Sequence, residues 1–218
     1  MQLLIEMQYL APVSYYALLQ SYGKVIIERE EQFVKSTYRN RCVILTSGGP
    51  LRLTIPLDEG RDRHRLYKDI RISYSEDWQR HHWRSIRSAY QNSPYFEHYE
   101  SDLSPFYTTR YEFIFDYNTL LMNTVSKLLG LQTEITFTQQ YEKQPESNIN
   151  DLRSAIHPNP AKDHSAHLIT IHPFYQVFAD RNGFNPNVSI VDLLFNEGPA
   201  GIDILKNSFL DNIKTHLP

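Results

Sequence analysis

Cysteine is almost missing from this chain: Cys42 is the only one among 218 residues. An intramolecular disulfide is therefore impossible, and a reducing compartment suits the protein best. Also lacking is any run of about 18 apolar residues of the kind that crosses a bilayer. The N-terminus shows no charged start followed by a long apolar stretch, because Glu6 interrupts its first apolar run. These gaps predict a soluble, cytoplasmic protein without an integral membrane segment. A basic excess is absent too, with 22 Lys and Arg against 25 Asp and Glu and a formal charge of −3. That argues against a dedicated nucleic-acid binder, which needs a positive field to neutralise phosphates. The glycine spacing of dinucleotide-binding folds does not occur, so neither NAD nor FAD is expected. His164 and His167 have a possible metal spacing beside Asp163, but no zinc pattern surrounds them and Cys42 lies far away. No cofactor and no metal are expected.

What is present begins with size. The length fits one domain, 1–218, with a core of useful size. Fifteen tyrosines raise the aromatic content, each joining a large apolar body to one polar tip. Charge is unevenly spread: Lys35 to Gln91 carries 12 Lys and Arg against 6 Asp and Glu. A basic field inside an acidic protein suits a phosphate- or carboxylate-bearing small molecule better than a long polyanion.

Leu3-Leu4-Ile5 predicts a buried strand, then Pro12 opens a helix that runs to about Tyr22 with Gly23 as its stop. Lys24–Glu28 follows as a second strand, so a β-α-β unit with parallel pairing is expected. Cys42–Leu45 and Leu51–Pro56 flank Ser47-Gly48-Gly49-Pro50 and read as a hairpin. Asp58–Arg65 is a charged excursion, and the alternation in Tyr67–Ser73 predicts a short strand. Ser75-Glu76-Asp77 has the composition of a helix N-cap. The helix beyond it puts Trp78, His82, Ile86 and Ala89 or Tyr90 on one face, with Arg80, Arg84 and Arg87 on another. A short helix follows from Tyr95. Arg110–Leu129 ends as the most buried helix, stopped by Gly130, and Thr133–Thr138 is a strand. Residues 143–172 read as irregular. Ser189 caps a short helix, and a last one spans about Ala200 to Ile213. The sum is an α/β fold: a mixed sheet opened by a β-α-β unit, helices packed on it, and a helical C-terminal half.

The stretch Glu28–Arg41 joins two strands without a glycine or a proline and carries Lys35, Tyr38, Arg39, Asn40 and Arg41. Guanidinium forks grip phosphate or carboxylate in two places, so these five residues form a candidate anion site. Strand alternation would aim Arg39 and Arg41 one way, Tyr38 and Asn40 the other. Structural ion pairs with Glu28, Glu30 or Glu31 are the rival explanation. The helix start after Pro12 offers free N–H groups, with hydroxyls from Ser14 and Tyr15 beside them. Tyr9 stands ready to stack or hydrogen-bond. His81 lies about 100° round the helix from His82 and is the candidate base. Cys42 reads as a buried thiol rather than a nucleophile.

Several blocks together resemble the WbqC-like family of bacterial proteins. They are Tyr9-Leu10-Ala11-Pro12-Val13-Ser14-Tyr15-Tyr16, Tyr38-Arg39-Asn40-Arg41, Leu53-Thr54-Ile55-Pro56 and Trp78-Gln79-Arg80-His81-His82-Trp83. Ala89–Phe96 and Ser189–Pro199 extend the match over nearly the whole chain. The resemblance implies a transferase that attaches an aminoacyl or glycyl group to a sugar in O-antigen or other surface-polysaccharide biosynthesis. On that view the partner is an anionic small molecule, a sugar-nucleotide or an acyl donor. A non-catalytic binding or assembly protein using the same pocket is the alternative.

Overall fold

The structure, a computed structural model, describes residues 2–58 and 65–210. The first apolar run is strand β1 (Gln2–Glu6), followed by helix α1 (Val13–Ser21) and strand β2 (Lys24–Glu28). The two strands pair in parallel with Glu6 opposite Glu28. Strand β3 (Arg41–Thr46) turns into β4 (Gly49–Thr54) as an antiparallel hairpin. Ser47 and Gly48 make that turn, and Gly49, the first residue of β4, leaves it at φ +104°, a backbone angle that L side chains avoid. Strand β5 (Leu57–Asp58) pairs antiparallel with β6 (Arg71–Ile72). Then come α2 (Trp78–Tyr90), α3 (Phe96–Leu103) and α4 (Ile114–Leu129), which Gly130 stops in the left-handed conformation. Strands β7 (Glu134–Phe137) and β8 (Ile149–Asp151) complete the main sheet. The rest is α5 (Ser165–Leu168), β9 (Ile169–Thr170), α6 (Ala179–Asn182), α7 (Ile190–Glu197), α8 (Gly201–Asn207) and β10 (Phe209–Leu210).

The main sheet has the order β7-β2-β1-β8, and every pair in it is parallel. The antiparallel strand pairs form separate two-stranded ribbons, and isolated antiparallel bridges join Pro12 to Ser189, Gln32 to Leu66 and Arg71 to Phe113. The central strands are apolar runs because both their faces are covered, with Leu3, Ile5, Val25 and Ile27 fully buried. The expected α/β class and β-α-β opening are what the chain adopts. The α2 face formed by Trp78, His82, Ile86, Ala89 and Tyr90 packs inward as its spacing predicts, while Arg80, Arg84 and Arg87 are exposed.

Several local expectations are corrected. Residues 143–172 are not wholly irregular, since β8 lies among them and pairs with β1. Three residues of edge strand are too short to leave a periodic signal. Tyr67–Asp69 is a tight turn and only Arg71–Ile72 is extended, because the Tyr67 N–H is drawn to the Glu31 carbonyl at 2.8 Å. Asp77 precedes α2 but makes no side-chain cap; it faces Arg80 at 3.9 Å, and the Ser75 hydroxyl bonds to Ser73 instead. The most completely buried helices are α1 and α7, with seven of nine and seven of eight residues inside. By contrast α4 leaves Leu120 half-exposed. The last helix ends at Asn207, well short of Ile213, which lies outside the described residues together with most of the Asp58–Arg65 excursion.

Helices α2 and α7 and strand β3 meet at Asp192. Its carboxylate accepts the Tyr90 hydroxyl at 2.9 Å, Gln176 Nε2 at 3.0 Å and Asn196 Nδ2 at 3.3 Å. The Tyr90 oxygen in turn accepts the Leu45 N–H at 3.1 Å. Burial pushes the Asp192 pKa up to about 6, against the pull of those donors. The folded state then binds this proton more tightly than the unfolded chain. Its contribution is complete below the ordinary carboxylate pKa and is lost as the pH rises through about 6. Between about pH 4 and pH 7, wild type should lose on the order of 2–3 kcal/mol relative to Asp192→Asn. Urea midpoints measured across that range check it; a constant difference between the two proteins would show that Asp192 titrates normally.

Candidate ligand-binding site

Parallel strands end together, and in open α/β sheets ligands bind beyond their carboxyl ends. Here that edge is a buried charge cluster. Glu6 closes β1 and accepts Gln8 Nε2 at 2.7 Å and the Ser154 N–H at 2.8 Å. Glu28 closes β2, fully buried, and accepts the Glu30 N–H at 2.8 Å, the Thr138 hydroxyl at 2.7 Å and Arg153 Nη1 at 2.8 Å. Glu31 meets Arg39 through both oxygens, each at 2.7 Å. Acids and guanidiniums are rarely buried unless paired; Glu28 and Glu31 each have an arginine partner, and Glu6 is held by two hydrogen bonds. Burial drives the Glu31 pKa up and Arg39 draws it back. Burial likewise opposes the charge on Arg39, but Glu6 and Glu31 outweigh it and shift the guanidinium upward. The two-point fork keeps the pair ionised.

This geometry decides where the predicted residues go. Arg39 has no exposed surface; its carbonyl is also pinned by the Tyr67 hydroxyl and Asn118 Nδ2, each at 2.8 Å. Arg39 and Arg41 therefore do not point the same way, because Arg39 lies before β3 and turns inward to Glu31. Arg41 opens β3 and lines a recess of about 310 Å³ together with Lys35, Ser36, Asn40, Thr54 and Ile55. Asn40 Nδ2 donates to the Ile55 carbonyl at 2.9 Å, while its Oδ1 and the Arg41 Nε are buried without a partner. Burial, then repulsion from Arg52, pushes the Arg41 pKa down. Ser36 holds φ +65° on the recess wall, a strained angle for a residue with a Cβ. Lys35, Asn40 and Arg41 are thus brought together, whereas Tyr38 is buried with its carbonyl accepting the Tyr9 N–H at 2.8 Å.

The remaining candidates lie elsewhere. The start of α1 is covered by residues 187–189: the Val13 N–H donates to the Val188 carbonyl at 3.0 Å, and the Ser14 hydroxyl to Asn187 Oδ1 at 2.7 Å. Tyr15 is fully buried and its hydroxyl donates to the Glu6 carbonyl at 3.0 Å. Tyr9 is buried among Trp78, His82, Tyr107 and Tyr117. His82 Nε2 lies 3.2 Å from the Thr54 carbonyl, which only accepts, so that nitrogen carries the proton. Its Nδ1 then accepts the Tyr9 hydroxyl at 3.0 Å, and Tyr107 donates to Tyr9 at 3.1 Å. Burial pushes the His82 pKa down to about 4, which keeps the ring neutral. His81 is exposed on the outer side of α2 and lines neither the recess nor the carboxyl edge. Among the described residues no group of three or more His, Cys, Asp or Glu is placed to hold a metal.

Sequence reasoning named Glu28 only as a rival ion-pair partner for the nearby arginines, and its partner is Arg153. It missed Glu6 and Arg153, and Glu6 sits at a strand end, where it reads as an ordinary strand terminus. Arg153 sits beyond β8, whose pairing alone places it over β2.

The architecture is that of an α/β protein with a parallel sheet and a mostly helical later part, and no described helix is long and apolar enough to cross a membrane. A family model described as the WbqC-like protein family matches residues 8–160, so the chain belongs to that family. An uncharacterised protein of Mycobacterium tuberculosis is 25% identical over 223 aligned positions, covering 93% of this chain and 96% of its own. No solved structure matches the chain.

Proposed function

We propose that the protein is a transferase of surface-polysaccharide biosynthesis. Its recess beside Arg41 would hold the anionic part of a sugar-nucleotide or an acyl donor. The observation that carries this reading is the pair Arg41 and Asn40 on the recess lining, whose Nε donor and Oδ1 acceptor are buried behind it without a partner. Buried polar atoms almost always have partners, so such a couple calls for a molecule that supplies both. A phosphate or carboxylate oxygen accepts from Arg41, and a neighbouring O–H or N–H of the same ligand donates to Asn40. None of the described residues lining the recess is acidic. An oxyanion also relieves the repulsion between Arg41 and Arg52. Membership of the WbqC-like family supports the polysaccharide setting.

A second reading has its own observation. Glu6, Glu28 and Glu31 are all engaged, His82 is neutral and buried, and His81 faces solvent. With no carboxylate or imidazole among the described residues lining the recess, the protein would bind and present its ligand without turning it over.

Calorimetry with a panel of sugar-nucleotides tests both. Arg41→Gln should weaken the bound member about 10- to 100-fold, the loss of one charge-assisted hydrogen bond worth roughly 1.5–3 kcal/mol. Incubating that member with acyl donors and weighing the sugar separates the readings: a mass gain supports transfer, and tight binding with no gain supports the binder. If no member of the panel binds, both readings fail.

A further inference from the structure

We propose that the cleft on the other side of the Glu28–Arg41 segment is a saccharide subsite. In it a pyranose ring lies against Tyr141, and its hydroxyls hydrogen-bond to Asp151, Glu30 and Arg153. The cleft encloses about 710 Å³, room for a sugar residue and more, just beyond the carboxyl ends of β2, β1 and β8. Its wall carries Tyr141 and Val34, two large apolar side chains left 52% and 44% exposed. Exposed aromatic surface over a polar floor matches the two faces of a sugar. The C–H groups of a pyranose pack on the ring, and its O–H groups need acceptors.

The floor supplies those acceptors. Asp151 accepts Arg153 Nε at 2.9 Å and Nη2 at 2.6 Å, and Glu30 accepts the Lys68 ammonium at 2.6 Å. A carboxylate oxygen has two lone-pair directions, so both acids keep capacity for hydroxyl donors. Arg153 is held between Asp151 and Glu28 and lies 4.8 Å from the Tyr141 ring centre, which fixes the ring in place. The described lining sets the acids Glu30, Glu31 and Asp151 against the cations Lys143 and Arg153, so the cleft favours a neutral polyhydroxyl ligand over a phosphate. Ser154, also on the lining, holds φ +64° while its N–H reaches Glu6. Strained backbone of this kind collects at functional sites.

This subsite goes beyond the anionic recess and does not depend on it, so its test uses ligands with no charge. Methyl pyranosides of glucose, galactose, mannose and N-acetylglucosamine are titrated by saturation-transfer NMR into wild type, Tyr141→Ala, Tyr141→Phe and Arg41→Gln. At least one glycoside should bind wild type. It should bind Tyr141→Ala about tenfold more weakly and the other two variants nearly as well as wild type. Because Tyr141 is half-exposed, the urea midpoint of Tyr141→Ala should not move; should it fall, Tyr141→Phe carries the comparison through its retained ring. The proposal is overturned if no glycoside saturates, if Tyr141→Ala binds like wild type, or if Arg41→Gln abolishes binding.

Discussion

Arg39→Leu should cost roughly 3–5 kcal/mol of folding stability, the loss seen when one partner of a buried ion pair is removed. Arg39 has no exposed surface and Glu31 is 6% exposed. Glu31 would be left without its counter-ion, close enough to Glu6 and Glu28 for both to drive its pKa higher. The Glu31 carbonyl accepts the Tyr67 N–H at 2.8 Å, which holds its backbone in place and keeps its side chain from swinging into water. For a chain of this length, each kcal/mol moves the melting temperature by about 2–4 °C, so the expected drop is on the order of 10 °C. The double variant Arg39→Leu/Glu31→Leu should regain most of the loss, because an apolar pair of similar volume needs no desolvation of charge. A single-variant loss below about 1 kcal/mol would place the pair in the class of solvent-screened surface bridges.

Gly198→Ala is expected to cost roughly 2–5 kcal/mol from two separable sources. Gly198 ends α7 at φ +54°, where a side chain is strained whatever space surrounds it. A Cβ there would also stand 2.5–2.7 Å from three atoms of the Tyr95 ring. The ring has little freedom to retreat, because the Tyr95 N–H donates to the Phe195 carbonyl at 3.0 Å within the same helix end. Removing the ring separates the two contributions: Gly198→Ala in a Tyr95→Ala background should cost only the backbone share, about 1–2 kcal/mol. An equal cost in both backgrounds would show that the ring contact contributes nothing.

Both effects bear on what was legible in the sequence. Local chemistry was readable where a single segment decides its own conformation. The hairpin turn, shortened to Ser47-Gly48, the Gly130 stop and the Ser189 cap formed as their residues dictate, the cap through a 3.5 Å bond from the Val191 N–H. The α2 face was readable because Trp78, His82 and Ile86 repeat at four-residue spacing. What could not be read depends on distant pairing. β8 is three residues long, and its partner β1 lies at the start of the chain, before the family-matched segment begins. Without that register nothing brings Arg153 to Glu28, 125 residues earlier.

The segment Glu28–Arg41 shows the same division within one loop. Its polarity marked it as unusual for a connection, and Lys35, Asn40 and Arg41 do share a recess. Alternation could not foresee that Arg39 would be consumed by Glu31, because strand geometry begins only at Arg41. Ser14 and Tyr15 were misjudged for a related reason. Residues 187–189, late in the chain, fold back over the start of α1 and supply its partners.

Arg39 holds the fold, and Arg41, two positions on, is the residue proposed to meet the ligand. Calorimetry with the bound sugar-nucleotide on Arg39→Leu/Glu31→Leu and on Arg41→Gln separates the two roles. The double variant should keep near-wild-type affinity, and Arg41→Gln should lose about 10- to 100-fold. Undiminished binding by Arg41→Gln, with binding lost in the double variant, would contradict that division of roles.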